Sequence, residues 1–277
     1  MRLPPIFPNF VDKERDYFFS IAREHEKELS LHESSGGLWE KNGNGKDWAN
    51  VTEHCLMAAA RAGALARLLG LPDALRASLV SAAAVHDFNK KEDIRLTRED
   101  IAAGGSGRKG ALASGEESEK ILRAADFPEL ISSLVNCVSG DPKDVYRMKD
   151  FLDLAEPSPE NIAHFAIHYI DNYTRGSFWA EAADYGNNGG VNDIDRRNVM
   201  NASNPSYEKM NKEGLVLNKN HPFFRGMTRF EAAAAVNHLI EKKLAEIIRK
   251  RGIDIKNPLD LPELIDKRIK EDIETSK

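Results

Sequence analysis

Cysteine is almost absent from this chain. Cys55 and Cys137 are the only two, and neither belongs to a CxxC pair. That excludes a zinc ribbon or a disulfide framework, and each thiol reads as a small buried apolar residue. No charge of one sign predominates: 44 acidic residues stand against 39 basic ones, for a net charge of −5. Such a balance gives no general attraction for nucleic acid or for an anionic membrane. The short basic clusters (Arg108-Lys109, Lys242-Lys243, Arg249-Lys250-Arg251) read as solvated helix faces. No apolar run reaches membrane-spanning length, and the opening MRLPPIFPNF lacks a signal-peptide core, so a cytoplasmic protein with no membrane partner is expected. Strand alternation and internal repeats are missing too, apart from a stretch within 186–222 compatible with a small β-hairpin.

What the chain does have is helical periodicity. Asp12 can cap a helix running to about Glu33, and a Gly- and Asn-rich loop, GGLWEKNGNGKDW, follows it. Residues 51–69 and 73–87 are rich in Ala and Leu and are punctuated by Gly70 and Pro72, a cap and a stop that make two antiparallel neighbours. The polar stretch from Lys90 to about Gly115, with Gly104, Gly105, Gly107 and Gly110, reads as a flexible loop. Ser114 with Glu117 predicts a capping-box start for a helix to about Asp126. Further helices are predicted from Pro128 to about Val138, over 142–155, and from Ser158-Pro159 through PENIAHFAIHYIDNYTRGSFWAEAADY. Residues 184–226 are Asn- and Gly-rich without periodicity, which suggests a lid or an unstructured insertion. Thr228 with Glu231 caps a helix to about Arg251, stopped by Gly252, and a short amphipathic helix covers 261–274. The expected class is all-α, in one domain.

His86-Asp87 is the costly feature. Adjacent imidazole and carboxylate groups close an alanine-rich apolar helix, where polar groups need a partner or a metal ion. His54 lies 16 residues before Gly70 and His86 lies 14 residues after Pro72. At about 1.5 Å per residue these are roughly 24 and 21 Å from the same bend, so both imidazoles stand at the open end of the hairpin. Asp87 is one residue on, about 100° round, at a terminus where it can turn toward the same point. The residues alone suggest a metal site on a helical scaffold.

The order His54, His86-Asp87 and a distant acid on a later helix, Asp171 in FAIHYIDNYTRG, resembles the HD-domain superfamily of metal-dependent phosphohydrolases. HDFNK is similar to that family's HD-x-x-K variant, and the likeness covers roughly residues 45–180. The resemblance implies an HD-like helical bundle with long irregular insertions, 184–226 as insertion or lid, and the 228–277 helices packed on the core. It also implies that His54, His86, Asp87 and Asp171 ligate one divalent ion. Two imidazoles and two carboxylates suit Mn, Fe, Co, Ni or Zn better than Ca, with Mg also admitted. Asp87 and Lys90 then carry the chemistry, Lys90 standing where the family often has a phosphate-binding lysine; the other reading of Lys90 is an exposed helix end. Two-metal members of the family carry further histidines between the His-Asp pair and the final acid. This chain has none between 86 and 164, so one ion is expected.

Around this set, several residues admit two readings. His164, His168 and Asp171 share one helix face; His168 contacts substrate phosphate or a second ion, or else is a core histidine, and His164 reads as core. Arg175, one turn beyond Asp171, clamps a phosphate or forms a surface ion pair. Glu92 and Asp93 are candidates for the base, with exposure as the competing reading, and Glu53 is a neighbour of His54 that helical geometry points elsewhere. His25, His32, His221 and His238 read as surface or structural. The expected activity is hydrolysis of a phosphate ester of a nucleotide or related small molecule. A nuclease of the HD type and a non-catalytic sensor are the alternatives, with a nucleic-acid partner possible but not favoured.

Overall fold

A computed structural model describes residues 7, 10–34, 51–138, 141–174, 179, 198–199 and 201–275. Among these the chain is all-α, without a strand. Thirteen labelled α-helices follow in order: α1 Asp12–Glu24, α2 Glu26–Ser34, α3 Val51–Leu69, α4 Asp73–Val85, α5 Lys90–Ala102, α6 Arg108–Leu112, α7 Ser118–Ala124, α8 Glu129–Asn136, α9 Pro142–Leu152, α10 Pro159–Tyr173, α11 Glu208–Leu217, α12 Arg229–Lys250 and α13 Leu261–Thr275.

α3 is the axis of the molecule. All its residues but Gly63 and Arg67 are buried, as expected of a helix apolar on every side. It packs along α4 and touches α1, α10, α12 and α13. The α3–α4 turn is a Schellman closure: Gly70 adopts φ +68°, Gly70 N–H donates to the Arg67 carbonyl at 3.1 Å and Leu71 N–H to that of Ala66 at 3.0 Å. α10 lies against both arms of this hairpin and against α8, α9 and α12. One apolar cluster extends from Phe7 through these helices to Ile273. Inside it, Arg61 of α3 forks onto Asp266 of α13, Nε and Nη2 donating to the two carboxylate oxygens at 2.8 and 2.7 Å. Tyr173 covers the guanidinium, its ring centre 4.7 Å from Cζ.

Several elements differ from the sequence expectation. The first helix breaks at His25 into α1 and α2, and Asp12 sits in the first turn rather than at the cap, where the Val11 N–H instead donates to Glu14 at 3.0 Å. The polar stretch after Lys90 is not a loop as far as Ala102. α5 has no apolar stripe, but ion pairs at helical spacing, Arg95 with Glu92 and Glu99, support it. Gly110 of α6 lies so close to α5 that a β-carbon there would run into Thr97 and the Asp93 carbonyl. Ser114 and Glu117 do not open a helix. Residues Ala113–Glu117 form a π-helical segment between α6 and α7, so the backbone donors that Ser114 would cap are already used. Within 184–226 the described part contains α11 and no strand. α12 begins as expected, with Thr228 N–H donating to Glu231 Oε2 at 2.7 Å. The loop 36–48, the continuation of α10 over 175–185 and residues 184–197, apart from Trp179, lie outside the described residues. No helix among the described residues is long and apolar enough to cross a membrane.

Candidate metal centre

Three helical elements deliver four polar side chains to one point. His54 comes from the first turn of α3, and His86 closes α4 in helical conformation. Asp87 follows in a double turn, Phe88 N–H donating to the Val85 carbonyl and Lys90 N–H to that of Asp87, each at 3.0 Å, with the Phe88 ring buried as anchor. Asp171 occupies the last turn of α10. The negative end of a helix dipole disfavours a carboxylate there, so the position is not one that helix stability selects.

One ligand atom from each of the four lies within 4.8 Å of the others, and all four residues are buried. His54 Nε2 is 3.2 Å from His86 Nε2. Asp171 Oδ1 is 3.5 Å from the first and 3.3 Å from the second. Asp87 Oδ2 is 4.0 and 3.9 Å from them. Atoms about 2.1 Å from a shared ion stand about 3.0 Å apart at a right angle and about 3.4 Å apart at the tetrahedral angle. The His54, His86 and Asp171 separations fall in or just beyond that range, while Asp87, at 3.9 and 4.0 Å, would subtend about 140°; the four form a group that could hold a metal ion. Two buried carboxylates so close together also call for a cation between them.

The surroundings orient the donors. His86 Nδ1 faces the Ala83 carbonyl at 2.8 Å and leaves Nε2 turned to the centre. Cys55 packs its sulfur 3.7 Å from the same Nδ1. Behind it, His32 Nε2 is 3.0 Å from the Ala84 carbonyl, and its Nδ1 is 3.3 Å from Thr52 Oγ1. His32 thereby ties the residue two before His54 to the residue two before His86. Lys90 Nζ lies 3.4 Å from Asp87 Oδ1, the oxygen turned toward the rim, and 3.2 Å from Asp93 Oδ2.

Electrostatics follow from this packing. Burial opposes charge on His86, but Cys55, Asp87 and Asp171 outweigh it and hold the imidazole well above the ordinary histidine range. Burial likewise works against ionised Asp87, yet Lys90 and His86 bring its carboxyl below the usual value. The Cys55 thiol, pushed up by burial, is drawn down to about 6 by His86 and His32. A proton on His86 and a divalent ion are competitors for the same negative field.

The remaining candidates fall in different places. His168 turns Nδ1 to the Cys137 carbonyl at 3.0 Å and is not one of the four converging residues. His164 is a core histidine, bound between Ser133 Oγ at 3.1 Å and the Glu160 carbonyl at 2.8 Å. Glu92 pairs with Arg95 at the surface, and Asp93 serves Lys90. Glu53 points away and accepts from the Phe7 N–H at 2.8 Å. Arg175 lies outside the described residues. Tyr173 and Trp179 are packed against the apolar cluster, Trp179 stacking on Phe10. Cys55, His32 and the Ala83 carbonyl carry no sequence signal for a role here, since their contacts depend on how the helices are rotated against one another. No family model, curated protein or solved structure matches the chain.

Proposed function

We propose that this chain is a metal-dependent phosphohydrolase of the HD-domain type, acting on a phosphate ester of a nucleotide or a related small molecule. The observation that carries the reading is the convergence of His54, His86, Asp87 and Asp171 from three helical elements on a buried point. The donor set fits one divalent ion of the Mn, Fe, Co, Ni or Zn kind better than Ca, because it mixes imidazole with few carboxylates. Such an ion supplies Lewis acidity toward a phosphoryl oxygen and a lowered water pKa.

The protein groups do the rest. Ala83 fixes the His86 ring so that Nε2 presents a lone pair. Asp87 divides its oxygens between the imidazoles and Lys90. Asp93 holds the ammonium at the rim, where it offsets negative charge gathered on the phosphoryl oxygens. The low exposure of the four ligands limits screening by water and strengthens each of these interactions.

The test begins with the metal content of the purified full chain and a screen of phosphorylated metabolites and oligonucleotides under several added divalent ions. Asp171→Ala is expected to lose both the ion and turnover while circular dichroism stays helical. Lys90→Met is expected to keep the ion and lose about a hundredfold in turnover. Undiminished metal in Asp171→Ala overturns the ligand assignment. Turnover confined to oligonucleotides overturns the small-molecule reading.

A further inference from the structure

The ammonium of Lys90 stands between two carboxylates, 3.4 Å from Asp87 Oδ1 in the metal centre and 3.2 Å from Asp93 Oδ2 at the rim. Asp93 therefore draws it outward against Asp87. How firmly it does so depends on what fixes the Asp93 carboxylate. Lys90 takes Oδ2, and Oδ1 accepts from the Thr97 hydroxyl, one turn further along α5, at 3.2 Å. The same hydroxyl lies 3.4 Å from the Gly107 carbonyl. It has one proton to give, and the carboxylate is both the nearer and the stronger acceptor.

A side-chain pair of this spacing adds little on an exposed helix face. This one is covered. Gly110 of α6 lies against it, and a β-carbon there would run into Thr97 Oγ1 and come within 2.5 Å of Asp93 Oδ1. At Gly107 (φ +81°) a β-carbon would meet Met210 Cε at 2.8 Å and the Thr97 methyl at 3.2 Å. Two glycines of the polar stretch thus let backbone close over the bond between Thr97 and Asp93. The side chains of Lys90 and Asp93 keep only 17% and 16% of their exposure. Shielded from water in this way, the hydrogen bond holds the carboxylate in one rotamer.

We infer that Thr97 is a positioning residue for Lys90: through Asp93 it keeps the ammonium at the rim, where it meets a phosphate oxygen, instead of collapsed on Asp87. This rests on the phosphohydrolase reading for the reaction, while its binding half is measured apart from turnover. The test is a double-mutant cycle, with circular dichroism and metal content as controls expected to stay constant. Inorganic phosphate is titrated calorimetrically into the manganese-loaded full chain as wild type, Thr97→Val, Lys90→Met and the double variant. Lys90→Met is expected to weaken binding about tenfold and Thr97→Val about fivefold, with the double variant no weaker than Lys90→Met. Thr97→Ser, which restores the hydroxyl, should bind as the wild type does. The kcat for an ester that the wild type turns over should follow the same pattern. Equal phosphate affinity in wild type and Thr97→Val overturns the proposal. So does a further fivefold loss when Thr97→Val is added to Lys90→Met, the mark of a merely structural role, or a Thr97→Ser as weak as Thr97→Val. Coupled phosphate binding without turnover of any ester sinks the phosphohydrolase reading and leaves the role of Thr97 standing. Turnover that needs Lys90 but is indifferent to Thr97 does the reverse. A wild type that neither binds phosphate nor turns over an ester overturns both.

Discussion

His86 is the residue on which the centre's behaviour turns. Its imidazole is held protonated beyond the ordinary histidine range by Cys55, Asp87 and Asp171, although burial works the other way. A metal ligand must be neutral, so ion uptake expels that proton. The sign follows: affinity is low where His86 is charged and rises with pH until its proton is gone, above the unperturbed value of 6.5. We expect apparent zinc affinity to climb about tenfold per pH unit over that window, with one proton released per ion in calorimetry run in buffers of different ionisation enthalpy. An affinity that does not change with pH above 6.5 would contradict this. His164 behaves in the opposite direction. Burial lowers its pKa, and a neutral ring satisfies both Ser133 and Glu160. Its contribution to stability is present above the unfolded value and fades as pH falls through the folded one, which an NMR titration of its ring protons will show as a midpoint below 6.5.

At the scale of elements, the α3–α4 hairpin and α10 were readable from the chain because their signals are local: Gly70 and Pro72 at the bend, Ser158-Pro159 at a helix start, and apolar periodicity between. Similar distances from the Gly70–Pro72 bend placed His54 and His86 at nearly the same level, and an acid inside an apolar stripe marked Asp171. The elements missed are those whose stability comes from elsewhere. α5 is held by charge pairs and by the close approach of Gly110, and the π-helical segment owes its form to continuity between α6 and α7. His32 reads from the sequence as surface or structural, yet its buried position carries more. By joining Thr52 to Ala84 it sets the spacing of the two ligand-bearing helix ends. His32→Ala should therefore weaken metal affinity by about ten- to a hundredfold in competition with a chelator, while leaving the four ligands in place. An unchanged affinity would reduce His32 to packing alone.

For the whole molecule, the buried fork between Arg61 and Asp266 decides whether α13 stays on the core. Asp266→Ala strands a guanidinium in the apolar interior and should cost about 3–5 kcal/mol in urea unfolding. The paired change Arg61→Met with Asp266→Leu should stay within about 1–2 kcal/mol of the parent, since volume is kept and no lone charge remains. A loss below about 1 kcal/mol in the single variant would mean that water reaches the pair. The closed bend at Gly70 has a consequence for how such a chain can change over generations. The two imidazoles sit at the tips of a fork whose tines are joined at the far end. Adding one residue to a single tine swings its tip by about 100° and lifts it about 1.5 Å, enough to part the rings. Lengthening of this scaffold is then tolerated only in matched steps of whole turns on both tines, and related chains should show insertions between 55 and 69 balanced by insertions between 73 and 85.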